Sequence, residues 1–163
     1  MRILGIDPGL SITGYGCVEI VENAAEPRLV EAGVFRLKSK QSLAFRLAQL
    51  HDDLAAVLEE LQPQTMAVEK LFAAYRHPRT PILMGHARGV VLLLAQLRSI
   101  ELVELNATEV KKSITGNGHA GKEQMQRSIM SQCRLLTLPE PPDVADAIGI
   151  ALCAARRIML ARV

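Results

Sequence analysis

Apolar residues recur at steps of three and four through Leu43, Leu47, Leu50, Leu54, Val57, Leu58 and Leu61, and Pro63 ends the run. That spacing predicts one amphipathic helix with a core-facing stripe. Ser42 stands where its hydroxyl can cap the first turn. Before it, residues 2–7, 13–21 and 28–36 are short β-rich runs, punctuated by Asp7-Pro8-Gly9, Asn23 to Pro27 and Ala32-Gly33. The links are short, so these three strands are expected to be antiparallel neighbours. After the helix, Met66, Ala67 and Val68 form a buried strand ending at Glu69, and the stretch from Leu71 to Pro81 has no period and reads as a loop. Residues 82–98 predict a second helix. Its Val90–Leu94 run is apolar all round, which predicts burial on both faces. Gly85 and Gly89, one turn apart, permit close approach to the sheet or to a second subunit.

Leu102 and Val103 mark a fifth strand. Asn106 or Thr108 then caps a short helix that Gly116 and Gly118 end, and a flexible loop to Gly121 leads into a helix over Lys122–Cys133. Pro139, Pro141 and Pro142 force an extended link before a last helix, which begins near Asp143 and runs to the chain end. Three strands followed by helix–strand alternation predict an α/β protein. Its five-stranded mixed sheet would be first antiparallel, then parallel, with helices on its faces. The expected organisation is a single domain over residues 1–163.

Candidate chemistry begins at Asp7. The first strand delivers this carboxylate to a forced stop: Pro8 lacks an N–H for the ladder, and Gly9 can take a positive φ. A turn aspartate is one reading; a ligand for a hard cation such as Mg²⁺ is the other. Glu69 also ends a predicted strand, and a parallel pairing of the two strands would put both acids on one rim, where open α/β sheets hold ligands. Asp143 and Asp146, spaced i, i+3, share one helix face in a first turn whose dipole favours negative charge. Their opposite face (Val144, Ile148, Ala151, Leu152) is apolar and expected to pack on the sheet edge. Separately, each acid has an ordinary structural role open to it. Together, four carboxylates repel unless cations neutralise them, and a pair of divalent ions suits phosphodiester hydrolysis.

Charge sharpens this picture. The net charge is only +2, but residues 71–134 hold nine Lys/Arg against four acids, whereas residues 1–70 are acidic by three. A basic segment that includes Arg76, Lys111 and Lys122 beside clustered acids suits an enzyme that holds a polyanion and cuts it. No charged n-region precedes an apolar segment, and no apolar run approaches a membrane span, so neither a signal peptide nor a membrane anchor is expected. Cys17, Cys133 and Cys153 are widely spaced and odd in number, and read as reduced thiols of a cytoplasmic protein.

Gly5-Ile6-Asp7-Pro8-Gly9 with Thr13-Gly14-Tyr15-Gly16, Val68-Glu69-Lys70-Leu71-Phe72, Gly85-His86-Ala87-Arg88-Gly89-Val90 and Asp143-Val144-Ala145-Asp146-Ala147 occur in this order along the chain. On these motifs the sequence resembles the RuvC family of bacterial Holliday junction resolvases over nearly its whole length. The resemblance implies a ribonuclease H-like fold, a homodimer, and Mg²⁺- or Mn²⁺-dependent nicking of two opposed strands of a four-way DNA junction, in recombination and repair. It implies that Asp7, Glu69, Asp143 and Asp146 are the catalytic acids, that Lys111 and Lys122 act near the scissile phosphate, and that Phe72 contacts unpaired bases. Arg76 is a further DNA-binding candidate from the same loop. Functional coupling to the RuvA–RuvB branch-migration machinery is also implied. The loop Ala73–Pro81, with Tyr75 and His77, departs locally from the family pattern.

Three other functions remain open on sequence. The Asp-Pro-Gly and Thr-Gly turn also suits actin-like ATPases and sugar kinases, which need two domains around a cleft and more chain than this. A junction-binding module without catalysis would not need all four acids. A monomeric nuclease of the same superfamily would differ in solution mass and in junction selectivity.

Overall fold

The structure, a computed structural model, describes residues 1–70 and 79–161, the side chains of 79–81 excepted. Its elements are β1 (Arg2–Asp7), β2 (Ile12–Glu19), β3 (Arg28–Arg36), α1 (Leu43–Leu61), β4 (Thr65–Glu69), α2 (Arg79–Leu97), β5 (Glu101–Leu105), α3 (Ala107–Thr115), α4 (Lys122–Gln132) and α5 (Pro142–Leu160). The sheet order is β3-β2-β1-β4-β5. β1 pairs antiparallel with β2 and β2 with β3, while β4 runs parallel to β1 and β5 parallel to β4. The α/β class and the mixed sheet of five strands are therefore as the sequence predicts.

Strand alternation divides the core into two layers. Ile3, Val18, Ala67 and Leu105 point to one face and pack with α3, α4 and α5. Leu4, Ile6, Cys17 and Met66 point to the other and pack against α1 and α2. In α1, Leu50, Leu54, Leu58 and Leu61 are buried, and Ser42 accepts a hydrogen bond from the Phe45 amide (3.2 Å), the cap read from the sequence. Gly116 ends α3 in the left-handed region (φ 75°).

Several expectations need correction. The segment expected to be a loop up to Pro81 is already helical from Arg79. α2 is not buried on both faces: Ala87, Val91, Leu94 and Ala95 are buried, whereas Ile82, Leu93 and Leu97 on the other side are 59%, 53% and 66% exposed. A Cβ on Gly89 would meet nothing. An apolar run records that a helix has two apolar faces, not that one chain covers both. α5 does not pack on the sheet edge but across β1 and β2, at the middle of the sheet. Gly9 is not in the left-handed region; its side chain is excluded because a Cβ would lie 2.2 Å from the Ile12 carbonyl oxygen. The three thiols are free, Cys17 and Cys153 being buried. Among the described residues no helix is long and apolar enough to cross a membrane.

Candidate active site

The site is built where β1 and β4 end. Ile6 pairs with Val68, so Asp7 and Glu69 are the next residues on adjacent parallel strands. By alternation Asp7 lies on the face of Gly5, and Glu69 on the face of Ala67. That is the face covered by α5. The turn after Asp7 is locked by Thr13, which is completely buried: its hydroxyl donates to the Gly9 carbonyl (2.7 Å) and accepts from the Gly9 amide (3.1 Å).

Glycines bring α5 to this rim. A Cβ on Gly14 would stand 2.1 Å from the Asp143 carbonyl oxygen; one on Gly5 would stand 2.3 Å from that of Ala147; and one on Gly16 would stand 2.9 Å from the Ile148 backbone. Gly5 and Gly16 are partners in the β1–β2 ladder, and Gly14 is the partner of Asp7. The helix backbone thus rests directly on the strand backbone. Pro142 starts α5, so Asp143 enters within the first turn directly over Gly14, beside Asp7. Asp146 follows one turn on.

The electrostatics record the same convergence. Burial, then the charges of Asp146, Asp143 and Glu69, push Asp7 up from the usual carboxylate range to about 7, against the opposing charge of Lys122. Glu69 is raised by burial and by Asp146, with Lys111 opposing. Asp146 is raised by burial and by Asp143, with Lys122 and Lys111 both opposing. Four acids and two lysines read from the sequence therefore share one field. Lys111 lies half-buried in α3, and Lys122 is exposed as the first residue of α4. Phe72 and Arg76, with Tyr75 and His77, lie outside the described residues. His86 and His119 are exposed, and His51 bonds Asp52 (2.9 Å).

The donor set is all-carboxylate, the chemistry a hard divalent cation prefers. As placed, no three acidic, histidine or cysteine side chains among the described residues close on a common point. What the backbone supplies is four carboxylates crowded on fixed supports, a field that favours a bound cation.

Two contributors are not among the site residues read from the sequence, although both lie within its motifs. Arg88 of α2 donates from Nε to the Glu69 carbonyl (3.3 Å) and pairs with Glu104 of β5, tying the end of β4 to its neighbours. Gly5, Gly14 and Gly16 seat the helix that carries two of the acids. Their legible trace was glycine at alternate positions of one strand, opposite a glycine on the next.

The family model for crossover junction endodeoxyribonuclease RuvC matches residues 3–154. The chain is 45% identical over 153 residues to the crossover junction endodeoxyribonuclease RuvC of Rhodopirellula baltica, covering 93% of this chain and 84% of that one. It is 43% identical over 154 residues to that of Thermomicrobium roseum, covering 94% and 91%. The structure of Thermus thermophilus RuvC in complex with a Holliday junction substrate superimposes with a TM-score of 0.88 at 30% identity, covering 99% of this chain and 96% of that one. The yeast mitochondrial Holliday junction resolvase Ydc2, 18% identical with a TM-score of 0.65 over 94% of this chain and 77% of that one, shares the fold. A match across nearly the whole chain, in sequence and in backbone alike, makes this chain a member of the RuvC family of crossover junction endodeoxyribonucleases.

Proposed function

We propose that the chain is a structure-selective endodeoxyribonuclease that resolves four-way DNA junctions by paired, symmetric nicks, acting as one nuclease domain over its length. The observation that carries this reading is the rim itself. Acids from β1, β4 and α5 crowd until Asp7 holds its proton near neutrality, and two lysines face them. Asp7, Glu69, Asp143 and Asp146 are the residues that would hold Mg²⁺, or Mn²⁺ in its place, as two ions per subunit. Such ions supply charge neutralisation, a water that is more acidic, and stabilisation of the departing oxygen.

The chain's own residues have definite tasks. β1 and β4 fix Asp7 and Glu69 on rigid backbone, and the glycine seat fixes Asp143 and Asp146 above them. The acids orient an attacking water in line with the scissile bond, and they carry the proton load of its activation. Lys122 and Lys111 offset negative charge developing on the phosphate. Their opposition to the acids' shifts supports this placement. The products would carry 5′-phosphate and 3′-hydroxyl ends. Phe72 and Arg76 are proposed to contact DNA near the crossover.

A junction offers two equivalent strands, and two-fold symmetry would present two such rims alike. The outer stripe of α2, with Ile82, Gly89, Leu93 and Leu97 exposed along one side, supports a homodimer through this helix. Leu93→Asp should yield monomers by sedimentation; an unchanged dimer would place the interface elsewhere. A cytoplasmic location and functional coupling to the RuvA–RuvB complex are proposed with the family reading. The deciding experiment incubates the protein with a mobile four-way junction and with linear duplex, with and without Mg²⁺, and maps the nicks. Symmetric junction nicks that need the metal support the reading. Equal cutting of linear duplex, or no cutting at all, overturns it.

A further inference from the structure

The acidic first part of the chain contains an uninterrupted basic stretch. From Ala32 to His51 there are four Lys/Arg (Arg36, Lys38, Lys40, Arg46) and no Asp or Glu. β3 runs parallel to β1, so its carboxyl end at Arg36 opens on the same rim as Asp7. Asp7 pairs with Gly14, Gly14 with Val34, and Arg36 is two residues further. Strand spacing and rise then place the Arg36 backbone about 12 Å from that of Asp7. The corner is tied to the turn that carries Asp7. The Leu37 amide donates to the Ser11 carbonyl (3.0 Å), and Arg46 Nε donates to that of Leu10 (2.9 Å).

The corner is also rigid. The Gln49 amide of α1 spans it, donating to the Arg36 carbonyl and accepting from the Lys38 amide, both at 3.2 Å. The Lys38 ammonium lies 5.6 Å from the centroid of the Phe45 ring, which is itself exposed. Arg36, Lys38 and Lys40 are exposed, and none of them makes an ion pair among the described residues. At the opposite end of the sheet the arginines are neutralised: Arg2 and Arg28 by Glu19, Arg98 by Glu59 and Arg156 by Glu26. Among the described residues, Arg36, Lys38 and Lys40 thus stand on the catalytic rim with no acid paired to them. The amino end of α1 adds its partial positive charge at the same corner.

We propose that Arg36, Lys38 and Lys40 form a second phosphate-backbone contact, gripping a duplex arm on the β3 side of the cut. Lys111 and Lys122 stand across the sheet in the α5 layer, so the two basic groups flank the acids diagonally. A strand whose phosphate sits at Asp7 would reach the corner about three to four nucleotides away, at 3.4 Å of axis per nucleotide. The corner reads charge and spacing, not base sequence. This inference rests on the junction-cutting reading above.

The test measures binding of the whole protein to a four-way junction without divalent cations, across a salt series. The triple variant Arg36→Gln, Lys38→Gln, Lys40→Gln is compared with Arg2→Gln, Arg28→Gln, Arg98→Gln, which removes the same charge from the far end. Three lost phosphate contacts flatten the log–log salt slope by about 2.7, so between 50 and 200 mM salt the wild type should lose about forty-fold more affinity than the rim triple. The far-end triple should keep the wild-type slope, since salt screens charges beyond about 10 Å. Arg36→Lys should keep it too. Hydroxyl-radical protection three to four nucleotides from each nick should vanish in the rim triple alone. If the wild type binds and cuts junctions while the two triples share one slope and one footprint, the proposal falls and the function stands. A wild type that ignores junctions removes both.

Discussion

Asp7→Asn is the most informative single change, because it keeps the shape of the strand-end turn and removes one charge. Burial and three neighbouring acids raise Asp7 from 3.8 to about 7. The unfolded chain has no such field, so at pH 8 without divalent cations the fold must ionise a group that it prefers protonated. Each unit of separation is worth about 1.4 kcal/mol, and three units bound the destabilisation at about 4 kcal/mol. The buried amide of the variant still carries a desolvation cost of about 1–2 kcal/mol, so a net gain of about 2–3 kcal/mol is expected. For a chain of this size that is roughly 4–12 °C in melting temperature.

The assay is thermal unfolding in a chelator at pH 8 and again near pH 4. The folded pKa lies above the unfolded one, so the stability contributed by Asp7 is fully present at low pH and is lost as pH rises from about 4 to about 7. The variant should therefore outlast the wild type at pH 8 and match it near pH 4. Adding Mg²⁺ should raise the wild type and narrow the gap, because ligand bound only by the native state adds stability by mass action. Junction binding should persist and nicking should stop. A variant no more stable than the wild type in chelator at pH 8 would refute the electrostatic reasoning, and one that nicks at the wild-type rate would refute the metal-site reading.

Gly14→Ala places a methyl group 2.1 Å from the Asp143 carbonyl, so α5 must shift: about 1–3 kcal/mol of stability and on the order of a hundred-fold in nicking should be lost, checked by melting and single-turnover rates. Arg88→Ala frees the end of β4 and should lower the nicking rate more than the junction affinity; Arg88→Lys, which keeps the charge and one donor, should restore part of it, whereas equal losses in both variants would make Arg88 a packing residue. Lys122→Ala, at an exposed first helical position, should leave the melting temperature nearly unchanged while slowing nicking about a hundred-fold; a parallel loss of stability would make it structural.

Most of the fold was legible because its signals are local. The leucine stripe of α1, the Ser42 cap, Gly116 at the end of α3 and the turn after Asp7 are each decided within a few residues. So were the strand ends that bear Asp7 and Glu69. What failed to show was set by partners distant in sequence. The exposed side of α2 is apolar like its buried side, and hydrophobicity alone does not say which chain covers it. The seat of α5 depends on Gly14 meeting Asp143, and the free cations at the β3 corner depend on which arginines elsewhere find acids. Summing charge by segment hid that corner inside an acidic total.

The glycine seat explains how such repulsion can be held in place. Four carboxylates drawn together would push α5 away from β1 and β2 if a compliant layer of side chains lay between them. Here there is none: the carbonyls of Asp143 and Ala147 stand where Cβ atoms of Gly14 and Gly5 would be. Below them Ile148, Ala151, Leu152 and Ala155 are buried along the same helix, and their contacts oppose the electrostatic push over most of its length. The acids occupy only the first two turns, at the open end. Hydrophobic burial grows with helix length, whereas the repulsion is confined to one rim, so α5 gains stability where it does no chemistry and loses it where it does. On this argument, shortening the apolar body of α5 should weaken the rim before the rest of the sheet. Ala151→Gly, one turn below Ala147, should speed amide hydrogen exchange in the first turn of α5 more than in β5. Equal acceleration in both elements would mean that the helix and the sheet open as one unit, and that the seat does not localise the strain.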